Sequence, residues 1–192
     1  MSIISWNCRG FGNLRTVRTL EKVVNKEETD IVFLMETKVD KKEWIDKVKE
    51  RCNLKHGVFV SSNGNSGGLA LFWKDGVTID VQSFAYDHID AWIDGGSGIG
   101  WWHFTRFYGN LETDRRLESW AKLKILKNSS SLPWLVIGDF NEIIGLLEKE
   151  GGRIRPKRQM ELFLEVINFR ALRDSGFVGP KFTWLYQQRD GF

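Results

Sequence analysis

The chain has 192 residues, 42% of them hydrophobic and 28% charged, a balance that fits one soluble globular domain and excludes a disordered or fibrous segment. No run approaches the roughly 18 apolar residues of a membrane span, and "MSIISWNCRG" lacks the basic-then-apolar pattern of a secretory leader. Cys8 and Cys52 are too few and too widely spaced for a disulfide framework or a zinc site, which together with the missing leader points to an intracellular protein.

The net charge of +3 is too small to argue for a nucleic-acid partner, but it is unevenly placed. Residues 151–192 carry 8 Lys or Arg against 4 Asp or Glu, whereas residues 1–150 carry 20 against 21. The surplus is concentrated in "GGRIRPKR", 151–158, which read by itself is a solvated basic loop.

"IISW" (3–6) reads as a short strand, "LRTVRTLEKVVNK" (14–26) as an amphipathic helix with Leu14, Val17, Leu20, Val23 and Val24 inward, and "DIVFLMET" (30–37) as a buried strand. A polar helix is predicted over 40–52, with Trp44, Ile45 and Val48 inward. The runs "HGVFVSS", "GGLALFW", "VTIDVQSF", "HIDAWID" and "WWHFTRFYG" then read as five strands of an antiparallel meander, with Val77, Ile79 and Val81 sharing one face. Helical spacing returns at 113–127, where Thr113 is the expected cap and Leu117, Trp120, Leu123 and Leu126 the stripe. Pro133 opens the strand "WLVIGD". A helix over 157–168 (Met160, Phe163, Leu164, Ile167 inward) and a strand "KFTWLY" (181–186) complete the pattern, that of a mixed sheet or two packed sheets with helices outside.

Three of the most buried-looking strands end alike. "IISW" delivers Asn7, "IVFLM" delivers Glu36, and "LVIG" delivers Asp139 with Asn141. Ligands of such sheets bind at the carboxyl ends of strands. Two carboxylates beside two amides suit a hard divalent cation of the Mg²⁺ type, which fits phosphoryl chemistry. Taken singly, each residue also has a structural reading: Asp and Asn are common turn and cap residues, Glu36 can cap the turn before the next helix, and Asn7 can bond the loop "CRGFGN".

"SWNCRG", "METK", "FYGN", "GDFNE" and "FTW", in this order, resemble the endonuclease/exonuclease/phosphatase superfamily, most nearly the apurinic-endonuclease-like domain of plant LINE-type (non-LTR) retrotransposon proteins. "EKEGG" and "GPKFTW" are similar to that branch too. The resemblance implies a four-layer α/β/β/α sandwich of two mixed sheets and Mg²⁺-dependent (or Mn²⁺-dependent) phosphodiester hydrolysis, with DNA nicking in the retroelement branch. It implies Glu36 as principal metal ligand, Asn7 beside metal and phosphate, Asp139 as the carboxylate that activates water and also faces the metal, Asn141 as an orienting amide, and Tyr108 on the phosphate.

Two departures from the family pattern stand out. Arg9 occupies a position where the repair branch often has an aspartate. The family also continues past "FTW" to a Leu-Asp-Arg-like segment and a Ser-Asp-His motif, whereas this chain stops at "QQRDGF". His56, His88 and His103 lie upstream, and the alternation around His103 marks it as a sheet residue. The expectation is therefore a single domain over 1–192 without its last strands, its nicking weak or lost and its exposed sheet edge prone to self-association. Alternatives are an inactive nucleic-acid-binding relic and a phosphoesterase acting on small substrates. For a DNA partner, Arg9, Arg153, Arg155, Lys157 and Arg158 are candidate phosphate contacts, and Trp101, Trp102 and Trp184 candidate stacking residues. No membrane or obligate protein partner is expected, and a nuclear location is consistent with a DNA substrate.

Overall fold

The computed structural model describes residues 1–64, 67–169, 171–176, 178–180 and 182. The expected strand 181–186 and Trp184 lie outside the described residues. The chain divides into two compact units, Met1–Tyr108 with Asn128–Asp139, and Gly109–Lys127 with Phe140–Phe192.

The first unit contains β1 (Ile3–Asn7), α1 (Leu14–Lys26), β2 (Ile31–Met35), α2 (Lys42–Arg51), β3 (His56–Val60), β4 (Leu69–Trp73), β5 (Ile79–Ala85), β6 (His88–Asp94), β7 (Trp101–Tyr108) and β8 (Trp134–Asp139). These strands form two mixed four-stranded sheets, β1-β2-β4-β3 and β5-β6-β7-β8, in which β1 runs parallel to β2 and β7 parallel to β8. β2 is buried along its whole length because both its faces are covered. Val32 and Leu34 join a core with Val17, Leu20, Val24, Ile45 and Val48 of the helices. Ile31, Phe33 and Met35 join Leu69, Leu71, Ile89, Ile93 and Phe104 in the core between the sheets. No helix among the described residues is long and apolar enough to cross a membrane.

Asn13 caps α1, its side chain accepting from the Arg15 amide at 2.8 Å. Val17, Leu20 and Val24 are buried as expected, but Leu14 and Val23 are exposed. At 3.6 residues per turn those two lie about 90° from the centre of the buried stripe, on either flank. In α2, Ile45 and Val48 are buried, and the Trp44 indole donates to the Phe11 carbonyl at 2.8 Å.

The five central strands do not form one meander. β5, β6 and β7 do, but β3 and β4 belong to the other sheet, where β4 pairs antiparallel with β2. "LALFW" is apolar on both faces and so takes a central place, whereas β5 alternates between half-buried and exposed and sits at an edge, with Val77, Ile79 and Val81 on the inter-sheet core. Gly138 lets β8 approach β7 closely, since a Cβ there would overlap the Phe107 carbonyl.

In the second unit a 3-10 turn at Thr113–Arg115 leads into α3 (Arg116–Asn128), and a second, Leu146–Glu148, precedes α4 (Lys157–Phe169). Thr113 is the first residue of its turn and not the cap, a place taken by Glu112. α3 buries Trp120, Leu123 and Leu126 but leaves Leu117 58% exposed, and α4 buries Phe163 and Val166 while Leu164 is exposed. Trp120 stacks on Phe163 with ring centroids 4.6 Å apart, and Phe140 lies 5.4 Å from the same ring.

Candidate active site

β1 and β2 run in the same direction with Asn7 opposite Met35, so Asn7 and Glu36 emerge side by side at one end of the sheet. The loop after β1 is then laced to the chain after β2: the amides of Cys8, Gly10 and Phe11 donate to the carbonyls of Met35, Glu36 and Thr37 at 3.0, 2.8 and 2.7 Å. From the other side, Thr37 and Lys38 donate their amides to Gly68 and Gly67. Gly68, at φ +85, has no room for a Cβ against Thr37 Oγ1, so this position requires glycine. Held in this way, Glu36 adopts φ 50, and Arg9, Lys38 and Asn141 are likewise left-handed. Non-glycine residues in this region mark strain that the surroundings maintain, often at functional positions.

Oε1 of Glu36 accepts two hydrogen bonds, from Asn7 Nδ2 at 3.2 Å and from the Tyr108 hydroxyl at 2.9 Å. Asn7 Oδ1 in turn accepts from the Arg9 amide at 3.3 Å, which fixes the orientation of the Asn7 side-chain amide. Tyr108 closes β7, and Asp139, which closes the parallel β8, is its register partner. Two parallel strand pairs, one per sheet, thus present Asn7 and Glu36 from one side and Tyr108 and Asp139 from the other.

Sequence reasoning missed Arg106. Two residues before Tyr108 on β7, it is fully buried, with its guanidinium 4.5 Å above the Phe33 ring and 5.3 Å from the Tyr108 ring. Burial pulls the guanidinium below its ordinary value, and the nearby charges of Tyr108, Asp139, Asp87 and Glu36 oppose that shift. The only sequence signal was a cation inside a strand rich in aromatic residues.

Asn141 belongs to the second unit, where its Nδ2 donates to the Gly109 carbonyl at 2.7 Å. Of the basic candidates, Arg9, Arg153, Lys157 and Arg158 are exposed. Arg155 is partly buried and pairs through Nε with Glu142 at 3.0 Å. Trp101 is 40% exposed, whereas Trp102 is partly buried and meets Phe104 edge-on. His103 is buried on the sheet, 2.7 Å from Asp90 and stacked on Trp134. His88 bridges Asp87 and Ser83, and His56 lies beside Asp75.

Among the described residues no group of three or more His, Cys, Asp or Glu is placed to hold a metal ion. The oxygen donors of Glu36, Asp139 and Asn7 instead fit Mg²⁺, which needs only one or two carboxylates and takes water and phosphate for the rest. The set lacks the nitrogen and sulfur donors of zinc sites.

Residues 4–191 match the model of the Endonuclease/Exonuclease/phosphatase family, and the chain belongs to that family. No curated protein matches it. Among solved structures it is similar to an AP endonuclease from Archaeoglobus fulgidus (TM-score 0.62, 16% identity, covering 86% of this chain and 71% of that one). It is also similar to the Xenopus laevis APE2 catalytic domain (0.57, 17%, 87% and 67%). A third is the Neisseria 3′ phosphatase NExo, solved bound to a product DNA hairpin (0.58, 16%, 77% and 60%). At these identities the likeness is one of fold.

Proposed function

We propose that the chain carries a Mg²⁺-dependent phosphodiesterase site of the DNA-nicking kind, as in LINE-type retroelements. The observation that carries this reading is the meeting of Asn7 and Tyr108 on one carboxylate oxygen of Glu36, with Asp139 beside Tyr108 in the sheet register. Glu36, with Asp139 and Asn7, would hold the cation, which when bound supplies charge neutralisation at phosphate oxygens. Tyr108 and Asn7 donate hydrogen bonds and can pass from Glu36 to a phosphate. Asp139 accepts a proton from, or orients, the attacking water. Asn141, two residues on in "GDFN", is assigned an orienting amide. Family membership and the DNA hairpin bound by the Neisseria relative support a nucleic-acid substrate, and the order of "METK", "GDFNE" and "EKEGG" supports the retroelement branch. A nuclear site of action is consistent with that substrate.

The test is relaxation of supercoiled plasmid with Mg²⁺ and with EDTA. Weak nicking is expected, lost in EDTA and in both Glu36→Gln and Asp139→Asn. Nicking that persists unchanged in Glu36→Gln would overturn the assignment.

A further inference from the structure

Arg106 and Tyr108 point to the same face of β7, the one turned toward the other sheet, because strand side chains repeat every two residues. Phe104 on that face is part of the inter-sheet core. Arg106 is fully buried there, and Nε, Nη1 and Nη2 all lack a hydrogen-bond acceptor. The guanidinium rests on the faces of Phe33 and Tyr108, and the Tyr108 hydroxyl bonds Glu36. A buried cation without hydrogen bonds is among the least favourable arrangements in a core. Ring faces offset part of that cost, and the remaining compensation is long-range, from Asp139 at the end of β8, Asp87 just before β6 and Glu36 just after β2.

We propose that Arg106 is a resident counter-cation of the Glu36–Asp139 rim, which neutralises it from within the inter-sheet core and so weakens its hold on divalent cations. The inference rests on the reading of Glu36 as a metal ligand. It gives this chain low metal affinity for a reason internal to its own core, and it separates metal binding from the architecture of the site, which Arg106 leaves intact.

The experiment titrates metal-free protein with Mn²⁺ and follows the free-ion electron paramagnetic resonance signal, a binding readout independent of turnover. Arg106→Met should bind Mn²⁺ roughly tenfold or more tightly than the unmodified chain, and Arg106→Lys, which keeps the charge, within a few-fold of it. Glu36→Gln should abolish binding in either background. Melting temperature should rise in Arg106→Met; if that variant does not fold, Arg106→Gln carries the same expectation for Mn²⁺. Equal, Glu36-dependent affinity with and without the Arg106 charge would overturn the proposal while leaving the metal reading standing. Tightening in Arg106→Lys as well would also overturn it, by showing that shape and not charge matters. Absence of Glu36-dependent binding in every variant would remove the metal reading and the inference together.

Discussion

The Tyr108 hydroxyl donates to Oε1 of Glu36 at 2.9 Å, joining the end of β7 in one sheet to the residue after β2 in the other. Because the acceptor is a carboxylate, the bond belongs to the stronger class, at about 1.5–3 kcal/mol. Tyr108→Phe should therefore lower stability by up to that amount in urea unfolding. It should also lower plasmid nicking by at least tenfold, while Asn7 still holds Glu36 from one side.

A second prediction concerns the ion pairs of the other unit. The Glu142 side chain is 1% exposed and accepts from Arg116 Nη1 at 2.9 Å and from Arg155 Nε at 3.0 Å. Glu142→Ala leaves the buried Arg116 without its counter-charge and should cost about 3–5 kcal/mol. The carbonyls of Asn110 and Leu111, which Arg116 also contacts, place the value toward the lower end. A double variant, Glu142→Leu with Arg116→Met, should recover much of the loss in the same unfolding measurement.

Burial pushes the Cys52 thiol up to about 11, with Glu21 adding to the shift and Arg51 opposing it. In the unfolded chain the thiol loses its proton near its ordinary value of about 9. Between these two values the unfolded state binds fewer protons, so stability falls as pH rises from about 9 to 11. Unfolding midpoints measured across that window should drop less steeply in Cys52→Ala. At pH 8, Cys52 should react with thiol reagents only once denaturant opens the core.

The basic segment divides by partner. Arg153 and Arg158 are exposed, Lys157 lies 3.5 Å from Glu161, and Arg155 is tied to Glu142. Alanine at Arg153 or Arg158 should weaken DNA binding for all sequences alike and reduce the slope of log affinity against log salt by about one each. Alanine at Arg155 should show mainly in stability. Fluorescence anisotropy over a salt series, paired with thermal melts, distinguishes the two outcomes.

The strands and helices nearest the candidate site were legible because their signals are local. Val17, Leu20 and Val24 repeat at helical spacing, "IVFLM" is an uninterrupted apolar run, and the strands of the site end at or run directly into a polar residue. Sheet membership was not legible, since nothing within "GGLALFW" names its partner. That β4 pairs with β2 depends on residues about forty positions away. Nor was the fate of individual charges. Arg155 read as one of a solvated run until Glu142 was seen beneath it, and Arg106 sat in a strand whose two faces are both covered, so alternation gave no sign of where a cation would point. Leu14, Val23 and Leu117 show the opposite error, because a stripe read from sequence is wider than the one that packs.

Glu36 holds its carboxylate from a left-handed backbone, φ 50, where glycine or asparagine would rest at lower torsional energy. The residue proposed to hold the metal is thus ill suited to the bend. Under the proposed function, a lineage released from the need to cleave phosphodiesters would be drawn thermodynamically toward glycine or asparagine at this position.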